Sequence, residues 1–141
     1  MEYLVDLLKT RYNALDYLLY GSFVDIVDFP SVQLTIPMSR VSIYAGRTGK
    51  TVTRCEKQIS TVFSAAWRSR QGNLGIAISN IADGPAEVVF KVEAEKYGLP
   101  GKGTVSMISA SGKEARGQYA DGDEIICQIP PRSNRVLEFA E

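Results

Sequence analysis

Residues 71–92 read QGNLGIAISNIADGPAEVVFKV, and this stretch decides the fold class. Every second residue of 74–78 is aliphatic, and an apolar residue returns at every second position of 88–92. Such an alternation is typical of strands that bury one face. Because the turn residues DGP at 83–85 separate the two segments, they predict an antiparallel hairpin.

The same pattern continues on both sides of this stretch. Apolar alternation between turn residues marks further strands at 32–36, 40–44, 59–68, 105–107, 125–129 and 136–139. Strands that recur roughly every 8–20 residues are typical of a sandwich or a barrel. The sequence therefore predicts a mainly β fold, an antiparallel β-sandwich of about seven to nine strands, over 22–141.

The single tryptophan of the chain lies in the segment 59–68. Trp67 is in phase with Ile59 and Phe63, so we expect their common face to belong to the core. The alternative is an exposed aromatic plane, which would suit the apolar face of a sugar ring.

The segment 1–21 predicts a helix in front of the sandwich. Leucines recur at three- and four-residue spacings, at positions 4, 7, 8, 15, 18 and 19. Gly21 marks the end of the helix, since glycine accepts the left-handed conformation in which helices often stop. Because an amphipathic helix must bury its apolar stripe, we expect the leucines to pack on the sandwich or on a partner.

The chain contains no histidine. Ser-His-Asp and Cys-His nucleophile arrangements are therefore excluded, and the commonest zinc ligand is missing. Cys55 and Cys127 are too few for a thiolate zinc cage and form no CxxC pair. They are predicted to be two buried thiols or, alternatively, one disulfide. We expect no catalytic residue, no metal ligand and no cofactor in this chain.

Sixteen basic residues balance sixteen acidic ones, whereas nucleic-acid binding normally needs a positive excess. Uncharged residues interrupt the densest basic series, which consists of Arg40, Arg47, Lys50, Arg54 and Lys57. No apolar run approaches the roughly 18 residues of a membrane span, and charges interrupt the first residues, where a secretory signal needs an apolar core. The sequence predicts no nucleic-acid partner and no membrane, and it leaves the compartment open.

Two patterns resemble reactive motifs. GRTGKT at 46–51 ends like a phosphate-binding loop, but Tyr44 stands where GxxxxGK[ST] requires its first glycine. Asp121 and Asp123 flank Gly122, and aspartates in such positions usually bond their own backbone in a turn. A calcium ion is the alternative there. We predict a turn at 121–123 and no nucleotide site.

Three stretches of the all-β part carry a family resemblance: AWR at 66–68, GNLGIAISNIADGP at 72–85 and IPPRSNRVLEF at 129–139. They resemble the C-terminal all-β domain of large bacterial glycoside hydrolases whose catalytic part is a (β/α)8 barrel upstream. RYNALDYLLYG at 11–21 looks like the last barrel helix and the hinge into that domain. Since catalytic residues of such barrels lie at the strand ends, and this chain contains none of those strands, no catalytic residue is carried over.

The resemblance implies a non-catalytic accessory sandwich that docks on an upstream barrel, with residues 1–21 as a remnant of the barrel or a linker to it. Two alternatives stay open, a carbohydrate-binding module and a self-associating structural or adaptor domain that pairs through its N-terminal helix. For a glycan contact, the candidates are tyrosines in loop-like contexts and an arginine beside Trp67, namely Tyr44, Tyr97, Tyr119 and Arg68.

Overall fold

The computed structural model describes residues 2–31, 33–40 and 53–141. Its helices are α1 (Glu2–Asn13), α2 (Leu15–Leu18) and α3 (Ala94–Tyr97). The ten strands of these residues are β1 (Ser22–Ile26), β2 (Gln33–Arg40), β3 (Thr53–Ser60), β4 (Val62–Arg68), β5 (Leu74–Asn80), β6 (Ala86–Lys91), β7 (Lys102–Ser109), β8 (Gly112–Ala120), β9 (Glu124–Ile129) and β10 (Ser133–Ala140). The predicted mainly β, antiparallel class with a helix in front is confirmed.

A six-stranded sheet lies at the centre of the fold, in the order β1-β4-β5-β10-β7-β8. All of its neighbouring strands are antiparallel. The turn at 71–73 joins β4 to β5 as a hairpin, and β7 and β8 form a second hairpin. Local turn chemistry therefore sets two of the five pairings in this sheet.

The hairpin predicted around 83–85 is wrong, because β6 pairs with β9 and not with β5. The buried side chain of Asn80 at the end of β5 gives the reason. Its amide donates hydrogen bonds to the carbonyls of Gly84, Ile129 and Pro130, at 2.9, 3.2 and 3.1 Å. These bonds join the turn to the end of β9, and from there the chain continues as β6 in a second layer.

That second layer, β6 with β9, covers one face of the large sheet, which we call the inner face. Val88, Phe90 and Ile129 from this layer are buried in one core with the large sheet. The sheet contributes Ala66, Leu74, Ile76, Ile78, Val105, Met107, Leu137 and Phe139. The two layers are joined directly, since the ring centroids of Phe90 and Phe139 lie 5.2 Å apart.

The expected core face of segment 59–68 is wrong. The segment divides at the buried Thr61, so Ile59 belongs to β3 and another sheet. In β4 it is Val62 and Ala66 that enter the core. Phe63 is 50 % exposed on the opposite, outer face of the sheet. Trp67 lies on that outer face as well, half-buried against residues of the N-terminal helices.

β2 and β3 form a separate two-stranded antiparallel ribbon. Leu34, Ile36 and Met38 alternate along one face of it, and Leu34 and Met38 are exposed. The strand predicted at 40–44 and the pattern at 46–51 lie outside the described residues, except for Arg40. The middle of the basic series, at positions 47 and 50, therefore lies outside them as well.

α1 and α2 lie on the outer face of the large sheet. α1 crosses β10, β7 and β8, and α2 reaches β4. Tyr17 in α2 and Ala14 just before it are buried there against Ile108 and Val136. The molecule therefore has three layers, in the order helices, six-stranded sheet, β6–β9 pair, and the helices leave the β1–β4 side of the outer face open.

Gly75 in β5 allows the helical layer to approach the sheet. A Cβ atom at this position would lie 2.5 Å from Cδ1 and 2.6 Å from Cγ of Tyr17. The aromatic ring therefore rests directly on the backbone of β5, where any side chain would displace it.

We expect Gly75→Ala to lower the free energy of unfolding by about 1–3 kcal/mol, because the added methyl group overlaps a buried ring. Gly84→Ala is the matched control, since a Cβ atom at Gly84 meets nothing within 4 Å. Urea denaturation followed by circular dichroism measures both. Equal stabilities of the two variants would contradict the close approach of Tyr17 to β5.

Candidate docking surface

α1 and α2 turn polar side chains toward their own sheet. Tyr3, Asp6, Thr10, Asn13 and Tyr17 are spaced by three and four residues, so they lie on one helical side. All five make hydrogen bonds to β5, β7 or β10. We call these side chains and their partners the polar seam.

Asp6 makes the central contact of the polar seam. Its Oδ2 accepts hydrogen bonds from the backbone N–H of Asn134, at 2.7 Å, and from the Nδ2 of the same residue, at 3.0 Å. Its Oδ1 lies 3.7 Å from the guanidinium of Arg135. Tyr3 adds a hydroxyl–hydroxyl hydrogen bond of 2.6 Å to Ser79. The turn of α1 from Tyr3 to Asp6 is therefore held to β10 and β5 by hydrogen bonds and one ion pair.

Tyr17 ends the polar seam in a buried site. Its hydroxyl donates a hydrogen bond of 2.6 Å to Oε2 of the buried Glu138. The ammonium group of Lys113 forms an ion pair with Oε1 of the same carboxylate. Burial, followed by the hydrogen bond and the charge of Glu138, raises the pKa of Tyr17 far above its usual range. The phenol therefore stays protonated as a donor.

With the polar side turned inward, the leucines of α1 point to solvent. We define the leucine face as the five side chains Leu4, Val5, Leu8, Tyr12 and Leu19. They are between 44 % and 74 % exposed. Of the two expected alternatives for the leucine stripe, packing on this chain's own sandwich is wrong for the outward half, while Leu18 is partly buried against the sheet.

An apolar groove of about 310 Å³ runs beside the leucine face. Leu7 and Leu18 form its helical wall, and Phe63, Ala65 and Ala77 from β4 and β5 form its floor. Phe23 and Ile26 on β1 continue the open apolar surface, at 55 % and 65 % exposure. Contiguous apolar exposure of this kind usually marks an interaction surface.

The sequence did not single out the polar seam, although a signal for it was present. Tyr3, Asp6, Thr10, Asn13 and Tyr17 recur with the same spacing as the leucines, on the other side of the helix. A periodic polar stripe normally indicates a solvated face. Only its hydrogen bonds to the sheet show that the helix is turned the other way.

The proposed glycan-contact residues are dispersed, except for one pair. Arg68 donates hydrogen bonds to the carbonyl oxygens of Gly72, at 3.0 Å, and of Tyr97. Tyr97 lies in α3 and is buried, so its expected loop context is wrong. Tyr44 lies outside the described residues. A glycan contact by these residues stays a prediction.

Tyr119 was expected in a loop and instead lies buried in β8, where its ring packs against Phe139 at a centroid distance of 5.3 Å. Its hydroxyl finds no hydrogen-bond partner among the described residues. Burial raises the pKa of Tyr119, and the negative charge of Glu141 adds to the effect. A contact of this side chain with a glycan is likewise untested.

The carboxylates at 121–123 act on the backbone, in the way the turn interpretation predicts. Asp121 accepts a hydrogen bond of 2.8 Å from the N–H of Ala94, and Asp123 one of 2.7 Å from Ala120. Within 2–31, 33–40 and 53–141, no three side chains of the metal-binding types come together.

The two cysteines are not joined. Cys127 is buried in β9, and burial raises the pKa of its thiol. Cys55 is exposed on β3, which differs from the expected burial of both thiols. In the described part of the chain, no helix has the length and apolar character needed to cross a bilayer.

No protein-family model matches this sequence, and no curated protein matches it. Several solved structures do, and they are glycoside hydrolases. A GH27 β-L-arabinopyranosidase from Geobacillus stearothermophilus is 14 % identical with a TM-score of 0.45, over 57 % of this chain and 17 % of that one. α-Galactosidase I from Mortierella vinacea is 14 % identical with a TM-score of 0.42, over 57 % of this chain and 21 % of that one. An arabinofuranosidase is 19 % identical with a TM-score of 0.47, over 79 % of this chain and 24 % of that one.

This chain thus spans about a quarter or less of the length of those glycoside hydrolases. At TM-scores below 0.5, the likeness carries no argument about the role of the chain.

The Tyr17–Glu138 contact predicts an alkaline loss of stability. Because folding raises the pKa of Tyr17, its contribution is complete below the unfolded value near 10 and is lost as the pH rises above it. We expect the free energy of unfolding to fall from pH 10 to 11, and Tyr17→Phe to reduce that slope by up to about 1.4 kcal/mol per pH unit.

Tyr12→Phe is the matched control, since Tyr12 is 74 % exposed. Urea titrations at about pH 8, 10 and 11, which span the usual titration range of a tyrosine, give the slopes. If the free energy of unfolding of Tyr17→Phe fell with pH as steeply as that of the unsubstituted chain, the phenol would not be held by a buried carboxylate.

Proposed function

We propose that this chain is a non-catalytic accessory β-sandwich of a glycoside hydrolase-like protein. Its role would be structural, with the leucine face and the adjoining groove docked on the catalytic part. The single observation that supports this role is the orientation of α1, which makes hydrogen bonds to its own sheet with its polar side and exposes its leucines. The class of the parent protein is suggested by the sequence resemblance.

The orientation of α1 matters because apolar burial is the main favourable term in association. Covering the exposed half of one leucine contributes roughly 2 kcal/mol at about 25 cal/mol per Å². The polar seam holds the helix in this orientation, so the leucines of α1 stay available to a partner. An accessory domain that docks on a larger catalytic domain would use such a preformed apolar surface.

The carboxylates of the turn at 121–123, for which the sequence left a calcium ion open, and one buried glutamate already have structural roles. Asp121 and Asp123 bind backbone N–H groups. Glu138 is buried between Tyr17 and Lys113. These contacts support a structural rather than a catalytic role for this chain.

A carbohydrate-binding module is the second candidate, and one observation favours it. A cavity of about 310 Å³ with a mainly polar lining lies at the end of the sheet beside Arg68. Asn73 and Glu141 contribute further polar groups, and Leu99 and Pro100 form an apolar side. The cavity is at the small end of the range of ligand pockets.

Docking on a catalytic part predicts which domain is encoded upstream of this chain and how one substitution changes the Tm. We expect the reading frame upstream of the Met1 codon to encode a (β/α)8 barrel. In the protein that contains both this barrel and the present chain, which we call the joined protein, Leu8→Glu should lower the Tm by several degrees. The reason is that a charge is placed in the apolar interface. Differential scanning calorimetry measures the change.

Ile126→Glu is the matched control for this experiment. Ile126 is an aliphatic residue with 62 % exposure on β9, on the other side of the sandwich. Upstream sequence without a barrel would contradict the docking role. So would equal effects of the two substitutions.

The two candidate functions differ in glycan binding. For a purely structural role we expect no heat on titrating the chain with arabinose, galactose and xylose oligosaccharides at millimolar concentration. Binding that Arg68→Lys weakens would support the module instead, because lysine cannot reproduce the paired N–H groups of the guanidinium. Arg70→Lys is the control, since Arg70 does not line that cavity.

A further inference from the structure

We infer that, where no catalytic domain covers it, the leucine face of α1 binds the leucine face of a second copy of this chain. The two α1 helices would run antiparallel about a twofold axis. This inference rests on the part of the proposed function that makes the leucine face a docking surface, and it names the partner and the geometry.

The leucine face is self-complementary in an antiparallel arrangement. A twofold interface brings the same patch of both subunits together. Leu4 and Leu8 lie one helical turn apart on the exposed side of α1. If the twofold axis passes midway between them, Leu4 of each copy packs against Leu8 of the other. Tyr12 and Leu19 then extend beyond the contact on each side.

The charges of α1 select the antiparallel direction. Glu2 and Lys9 are both exposed and lie two helical turns apart on one flank of the leucine face. An antiparallel pair with the axis between Leu4 and Leu8 places Glu2 of each copy beside Lys9 of the other. In a parallel pair the same flank of the two helices lies on opposite sides of the contact, so Glu2 and Lys9 would not meet. Antiparallel helix dipoles favour the same direction.

The apolar area inside the contact suits a weak dimer, whose direction is set by the charges beside it. Leu4, Val5 and Leu8, which are 51 %, 44 % and 55 % exposed, present roughly 250 Å² of apolar surface per copy inside the contact. A standard stable interface buries about 800 Å² per partner. A net charge of zero opposes association of two copies very little.

Association of the isolated chain is the first test. We expect light scattering to give a dimer at roughly 500 micromolar protein, and a monomer on dilution. Leu8→Glu should raise the dissociation constant at least about a hundredfold, since a carboxylate would enter the apolar contact. Ile126→Glu removes similar exposed apolar surface elsewhere and should leave the dissociation constant unchanged. Circular dichroism checks that each variant is folded.

Charge reversal tests the direction of the helices. Glu2→Lys and Lys9→Glu should each raise the dissociation constant roughly tenfold, because each places like charges side by side at two symmetric positions. The double variant should restore the dissociation constant of the unsubstituted chain to within about twofold, since both pairs between positions 2 and 9 are re-formed with reversed sign. In a parallel dimer Glu2 and Lys9 would not meet, so the two single variants would leave the dissociation constant unchanged.

The outcomes separate this inference from the proposed function. A monomeric chain at high concentration overturns the dimer, while the gene context and the calorimetry of the joined protein still decide the docking role. A dimer that Leu8→Glu does not weaken overturns the inference, because it must form through another surface. A dimer sensitive to Leu8→Glu but not restored by charge reversal overturns the antiparallel arrangement. Recovery in the double variant supports it.

Discussion

The hydrogen bond from Tyr17 to the buried carboxylate of Glu138 determines how the helical layer is placed. A buried carboxylate is strongly destabilising unless charges and donors surround it. Glu138 receives one donor from α2 and the ammonium group of Lys113 from β8. Gly75 lets the ring of Tyr17 lie directly on β5. The helices therefore have one favourable position on the sheet, which is the position that satisfies this site.

From that position the rest of the polar seam follows. Asp6 meets the backbone of Asn134, and Tyr3 meets Ser79, because both lie on the side of α1 that continues to Tyr17 in α2. The opposite side of the helix must then face solvent. A helix that would normally bury its leucines instead exposes them, and the sheet beside it keeps an open apolar strip at Phe23, Ile26 and Phe63. The candidate docking surface is thus a consequence of buried polar contacts.

The two faces of the large sheet have different roles. The inner face is closed by β6 and β9 around Phe90 and Phe139, and it forms the main core. The outer face is half covered by the helices and contains one smaller cluster. Stability of the sandwich comes chiefly from the inner face, so the outer face can carry an exposed apolar surface without loss of the fold.

The amino-acid sequence alone determined the fold class. Period-two alternation between turn residues led to the mainly β, antiparallel class, and the lack of histidine excluded whole classes of catalytic site. Only the tertiary structure decided which faces are covered. The face of Phe63 and Trp67 proved to be the outer one, the leucines of α1 proved to point outward, and β6 proved to pair with β9. Periodicity shows which residues share a face, but burial of that face depends on the distant elements packed against it. Here those are the amide of Asn80, which redirects the chain after β5, and the carboxylate of Glu138, which turns the helix.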